Sequence, residues 1–372
     1  MKHKFIVLIF LMFASCKPPN NFNDDKFVAL TPTRTSSNTP TSTITSPPSL
    51  TPTHTATPSP SQTLTPTITQ THIHPLGEPV FHEADEEIAY NWFSYVPPNL
   101  NKEDVNYIIV TGLHGNITSG DYEEVTSESK DHFMSKVNDG NDFYQEFIIL
   151  VPVIPRKPDN PHIYSVAFDL NSFLSWVPDF YQRADLKVNL MIDKLLQELK
   201  TDGYNVSNKV FVEGFSAGCL FAARYVLLHP ERVQAIAGGG CAGTLTLPEA
   251  EYNGIKMNWP VGINNLSDLV GYEFNRSAYE QVAQFIYNGM LDDNTIVWPY
   301  DWGPQDMWES VSQLYFLNEN FGETNSERLE NQINYLHNLG YSNIFFKSYP
   351  GIGHDQTPEM IRDFQVFILE HR

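Results

Sequence analysis

The stretch from Lys209 to Pro230, KVFVEGFSAGCLFAARYVLLHP, constrains this chain more than any other. Val210-Phe211-Val212 is a short apolar run of the kind that forms a buried strand. The chain then turns through Gly214-Phe215-Ser216-Ala217-Gly218 and continues from Cys219 to Leu228 as a helix that is apolar nearly all round. Glycines on both sides of the serine indicate a turn so tight that a Cβ at either place would crowd the strand and helix that meet there. Ser216 then stands at a helix N-terminus, where backbone N–H groups and the helix dipole stabilise developing negative charge. A glycine-rich turn with an incidental serine would have the same pattern. What separates the two readings is the rest of the chain.

Apolar runs and helical stretches alternate around this turn. Asn91 to Val96, Tyr107 to Thr111, Phe147 to Pro152, Val233 to Ala237, Phe285 to Tyr287 and Ile344 to Tyr349 read as strands. Ala184 to Lys200 has Leu186, Leu190, Ile192, Leu195, Leu196 and Leu199 near helical spacing, and Ser326 to Leu339 and Pro358 to Glu370 are further helices. Alternation of this kind predicts βαβ units and an α/β fold with a mostly parallel sheet flanked by helices, over residues 77–372.

The residues before that domain have a different character. Lys2 and Lys4, the apolar run Phe5 to Phe13, and Ala14-Ser15-Cys16 read as an export signal over residues 1–16. Phe13-Ala14-Ser15-Cys16 resembles a bacterial lipoprotein lipobox, which implies lipidation of Cys16 and a cell-surface or membrane-anchored protein; ordinary secretion is the alternative. Residues 17–76 are a linker, dominated by Thr, Pro and Ser between Thr31 and Thr71. Such repeats bury no apolar surface, and their prolines forbid regular structure. In the polyproline II form, at about 3.1 Å per residue, this disordered stalk would reach roughly 100 Å. His72 and His74 are expected to be solvated loop residues. The formal net charge of -21 excludes nucleic acid and anionic membrane surface as partners, so contact with a membrane would run only through a lipid anchor. The remaining cysteines, Cys219 and Cys241, fall at the same end of the expected sheet. They form either a disulfide, in an exported protein, or two buried thiols.

Three residues then collect at strand ends in the order Ser216, Asp292, His354. Gly214 to Gly218 matches G-x-S-x-G, the turn that presents a nucleophilic serine between a strand and a helix. A serine alcohol needs a base, itself oriented by a carboxylate. His354 lies in the glycine-rich turn Pro350-Gly351-Ile352-Gly353-His354, and Asp292 follows Asn288-Gly289-Met290-Leu291, with Asp293 as the alternative acid. The C-terminal ends of parallel strands share one sheet edge, where open α/β sheets place their sites. Leu113-His114-Gly115-Asn116 would supply one oxyanion donor from the N–H of Gly115 or Asn116, and Ala217 the other. Trp259, Trp298, Tyr300 and Trp302 either line a substrate cleft or pack in the core.

Together these features resemble the α/β-hydrolase superfamily from about residue 90 to 372. Arg183-Ala184-Asp185-Leu186 leading into Met191-Ile192-Asp193-Lys194-Leu195, then G-F-S-A-G and G-I-G-H, resembles its polyhydroxybutyrate depolymerase and feruloyl-esterase branch. The resemblance implies an extracytoplasmic serine esterase without a cofactor or metal, acting on ester substrates that include polymeric or plant-polysaccharide-linked ones. A serine peptidase of the prolyl-oligopeptidase kind would carry the same triad, although such enzymes usually add a propeller domain where this chain has a stalk. A non-catalytic binding lipoprotein would have no need of the intact Ser, His and Asp set.

Overall fold

The computed structural model describes residues 74–112, 121–138, 142–156, 165–294 and 311–372. An eight-stranded sheet organises them. Its strands are β1 (Val80–His82), β2 (Trp92–Tyr95), β3 (Ile108–Gly112), β4 (Ile148–Pro152), β5 (Val210–Phe215), β6 (Val233–Gly239), β7 (Ala283–Gly289) and β8 (Ile344–Tyr349). They lie in the order β1-β2-β4-β3-β5-β6-β7-β8. β2 runs antiparallel to both of its neighbours, and every pairing from β4 to β8 is parallel. β3 and β4 are buried along their whole length, as a parallel strand covered on both faces must be.

Alternate strand residues feed two separate cores. Ile108, Val110, Val212 and Ile236 pack with α2 (Ala184–Thr201), α3 (Ala217–Leu228) and α4 (Asn325–Asn338). Ile109, Phe211, Ala235 and Phe285 face the other way, onto α1 (Tyr122–Val137) and α5 (Pro358–Glu370). Every residue of α3 is buried. Leu220, Phe221, Val226 and Leu227 each contribute about 1.5–3 kcal/mol by leaving water, which anchors the helix behind the Ser216 turn.

Several expectations are corrected. Of the expected apolar face of α2, Ile192, Leu195, Leu196 and Leu199 are buried, joined by Val188 and Met191, whereas Leu186 and Leu190 are exposed. His74 is buried rather than solvated. Its Nε2 lies 3.1 Å from Ser94 Oγ and its backbone N–H donates to Asp202 Oδ2 at 2.5 Å, so folded structure begins before Gly77. Trp259 is a core residue, fully buried with its indole N–H donating to the Phe168 carbonyl at 2.8 Å. Residues 1–73, with Cys16, His72 and most of the linker, lie outside the described residues, as do Trp298, Tyr300 and Trp302. Among the described residues, no helix is long and apolar enough to cross a membrane.

The Arg183-Ala184-Asp185 segment has a definite structural task. Arg183 begins α2 with a left-handed backbone (φ 47°) and clamps Asp185 through two bonds of 2.9 and 2.8 Å. Asp185 also meets His229 Nε2 at 2.9 Å, at the end of α3. The start of α2 is thereby tied to the far end of the helix that carries Ser216. Burial alone would raise the Asp185 carboxyl, but the bonds from His229 and Arg183 outweigh it and hold the group below its ordinary value.

Candidate active site

The chain reverses its direction across the sheet between β3 and β5: β4 lies on one side of β3, whereas β5, β6, β7 and β8 follow one another on the other. Open α/β sheets form a crevice at such a point. β5 ends there, and Ser216 follows with φ 59° and ψ -120°, a conformation that L-residues rarely adopt. The local sequence permits it. A Cβ on Gly214 would lie 2.4 Å from the carbonyl carbon of Gly218, so strand and helix approach closely only with glycine present. The Ser216 N–H donates to the Gly239 carbonyl at 2.8 Å, and the Ser216 carbonyl accepts the first helical bond from Cys219 at 2.9 Å. The serine is held from both sides.

Two other strand ends bring partners to it. His354 Nε2 is 3.0 Å from Ser216 Oγ, and His354 Nδ1 is 2.9 Å from Asp292 Oδ2. Asp292 is buried, with its other oxygen accepting the Asn294 N–H at 3.0 Å, and Asp293 is exposed. The loops bearing acid and base are joined through their backbones. The Leu291 N–H donates to the Ile352 carbonyl at 2.8 Å and the Met290 N–H to the Tyr349 carbonyl at 2.9 Å. A Cβ on Gly289 would fall 2.2 Å from the Ile352 oxygen, so this glycine is what lets the loops touch. The segment after Asp292 is also secured: Asn325 donates to the Asn294 carbonyl at 2.9 Å and accepts from buried Arg328 at 2.6 Å.

Ala217 places its N–H in the first turn of α3, beside Ser216. Gly115 and Asn116 lie outside the described residues. Cys219 and Cys241 form a disulfide with Cα atoms 5.0 Å apart, joining the first turn of α3 to the corner after β6. That corner lines the site, because a Cβ on Gly240 would stand 3.1 Å from His354 Cε1. Among the described residues, no group of three or more His, Cys, Asp or Glu side chains is placed to hold a metal ion.

Some residues of the site escaped the sequence reading. Glu213, immediately before the elbow, is 2% exposed although its side chain ends in a carboxyl group. Its Oε1 accepts from Thr111 Oγ1 at 3.0 Å and Tyr144 OH at 3.1 Å and lies 3.0 Å from Lys136 Nζ. Nearby, Gln356 donates to the Tyr287 phenol at 2.6 Å, and burial, with the charge of Glu213 adding to it, pushes that phenol well above its ordinary value. One signal was available: a glutamate directly after the apolar run Val210-Phe211-Val212, still within the strand, needs a buried partner. Lys136 carried none, because α1 is mostly polar and buries little besides Val125, Ser129 and Phe133.

The strand order, the antiparallel second strand and the strained serine between β5 and α3 define the class: this is an α/β-hydrolase fold. No protein-family model and no curated protein matches the sequence. Solved structures with a similar course include poly(aspartic acid) hydrolase-1 from Sphingomonas sp. KT-1, at 17% identity over 75% of this chain and 93% of that one, with a TM-score of 0.46. The poly(3-hydroxybutyrate) depolymerase from Bordetella parapertussis is 16% identical over 79% of this chain and 88% of its own, with a TM-score of 0.45. A ferulic acid esterase is 14% identical over 79% and 98%, with a TM-score of 0.42.

Proposed function

We propose that this chain is a serine hydrolase of carboxylic esters that works outside the cytoplasm. The observation that carries the reading is the unbroken line from Ser216 Oγ through His354 to Asp292, at 3.0 and 2.9 Å, on a strained elbow. His354 takes the proton of Ser216 as the hydroxyl attacks the ester carbonyl, and Asp292 holds the imidazole in the tautomer that accepts it. The negative charge on the tetrahedral oxygen goes to the Ala217 N–H and to a second N–H from Gly115 or Asn116. The imidazolium then protonates the leaving alkoxide. Water attacks the acyl-enzyme with His354 again as base, which frees the acid and restores the serine.

Esters as the substrate class, polymeric or polysaccharide-linked ones included, follow from the resemblance of the G-F-S-A-G and G-I-G-H turns to the depolymerase and feruloyl-esterase branch. Export and a lipid anchor at Cys16 follow from the first sixteen residues alone. Ser216→Ala is expected to abolish hydrolysis of p-nitrophenyl acetate and labelling by a fluorophosphonate while the fold survives; full turnover in that variant would remove the assignment. A panel of acetyl, feruloyl, hydroxyalkanoyl and peptidyl substrates separates esterase from peptidase. Palmitate incorporation that disappears in Cys16→Ser tests the anchor.

A further inference from the structure

A cavity of about 350 Å³ opens beside Ser216 and His354. Thr111 and Glu213 from the ends of β3 and β5, Ser135 and Lys136 of α1, and Asp355 and Gln356 after His354 line it. Among the described residues that line it, Phe215 is the one large apolar side chain. We infer that this cavity is a subsite for a neutral, hydroxyl-bearing part of the substrate, recognised by the Lys136–Glu213 pair. The inference rests on the serine-hydrolase reading and adds the chemistry of what lies beside the scissile bond.

The pair has donor and acceptor capacity left over. An ammonium has three N–H donors. Lys136 Nζ directs one to Glu213 Oε1 at 3.0 Å and one to Tyr144 OH at 2.8 Å, which leaves a third. The described bonds to Glu213 all converge on Oε1, so Oε2 takes none of them. A hydroxyl both donates and accepts, and it can meet both groups at once. Ser135, exposed in the same lining, donates its own proton to the His132 carbonyl at 2.6 Å and can accept a second hydroxyl.

Other chemistries fit poorly. An aliphatic chain would strip water from these charged groups and return no hydrogen bond. A carboxylate would face Asp355 and find the charge of Lys136 already offset by Glu213. The hydroxyl could belong to the acyl or to the alcohol side of the ester, and matched substrates tell these apart.

The test compares kcat/KM within two pairs on the full chain. The acyl pair is p-nitrophenyl butyrate against its hydroxylated analogue; the alcohol pair is an ethyl ester against the glyceryl ester of the same acid. The hydroxylated member of one pair should be favoured about 10–100-fold, the worth of a hydrogen bond to charged groups. Ser135→Ala should lower that ratio severalfold without disturbing the ion pair. Because Lys136→Met alone strands a buried carboxylate, it is combined with Glu213→Gln, and this double variant should bring the ratio down to the severalfold share that Ser135 carries. Parity in both pairs of the parent protein, a preference for an anionic ester, or a preference that the double variant leaves undiminished would overturn the inference. Loss of the hydrolase reading would look different: no turnover of any ester and no fluorophosphonate label on Ser216.

Discussion

The disulfide offers the sharpest test of how the site is held. Cys219 and Cys241 close a loop with a sequence separation of 22. In the chain-entropy treatment, a cross-link of that span removes roughly 11 cal/mol/K from the unfolded ensemble, or about 3.4 kcal/mol at 25 °C. For a domain of this size, each kcal/mol moves Tm by about 2–4 °C, so reduction should lower Tm by roughly 7–14 °C. Reduction breaks the covalent link and adds one hydrogen to each sulfur, so both side chains remain but are no longer tied. The double variant Cys219→Ala/Cys241→Ala also loses buried sulfur, because a Cβ on Gly238 would lie 2.5 Å from Cys219 Sγ in this tightly filled corner; it should fall by somewhat more. The same corner presents Gly240 to His354, so ester turnover well below Tm should fall severalfold on reduction. The assays are thermal unfolding with and without dithiothreitol, and peptide mass analysis after alkylation of the unreduced, denatured protein. Alkylated Cys219 and Cys241 in that protein, or a Tm that moves by less than about 2 °C on reduction, would refute the reasoning.

Two further outcomes bear on the acid and on the clamp behind the elbow. Asp292→Asn should lower kcat by a factor on the order of 10³–10⁴ because the imidazole loses its tautomeric anchor, whereas exposed Asp293→Asn should change it less than about threefold; the reverse result moves the acid by one residue. Asp185→Asn leaves Arg183 and His229 facing each other without their carboxylate, and should cost about 3–5 kcal/mol in urea unfolding. The pH dependence follows from the lowered carboxyl of Asp185. The unfolded chain binds this proton more readily than the folded one, so the contribution is complete above the ordinary value near 3.8 and is lost as pH falls through the lower, folded value. Asp185→Asn should therefore be less sensitive to acid over that range than the parent protein, and an unchanged acid profile would count against the clamp.

Local chemistry carried much of this protein in its sequence. Apolar runs of strand length, glycines at 214 and 218, and the order of Ser216, an aspartate at 292 or 293, and His354 are short-range signals, so most of the sheet, the elbow and the approach of Ser216 to His354 could be read directly. The strained backbone at Ser216 follows from the glycines that flank it. Tertiary structure decided what depends on distant partners. The choice of Asp292 over its neighbour rests on how the loops after β7 and β8 stitch together. Whether Trp259 lines a cleft or fills the core depends on the Phe168 carbonyl, and whether His74 is solvated depends on Ser94 and Asp202. The Lys136–Glu213 pair joins a polar helix to a strand far along the chain. A lysine on such a helix looks like any solvated surface charge until folding removes the water around it, and pairing across the sheet edge has no period that a linear pattern can register.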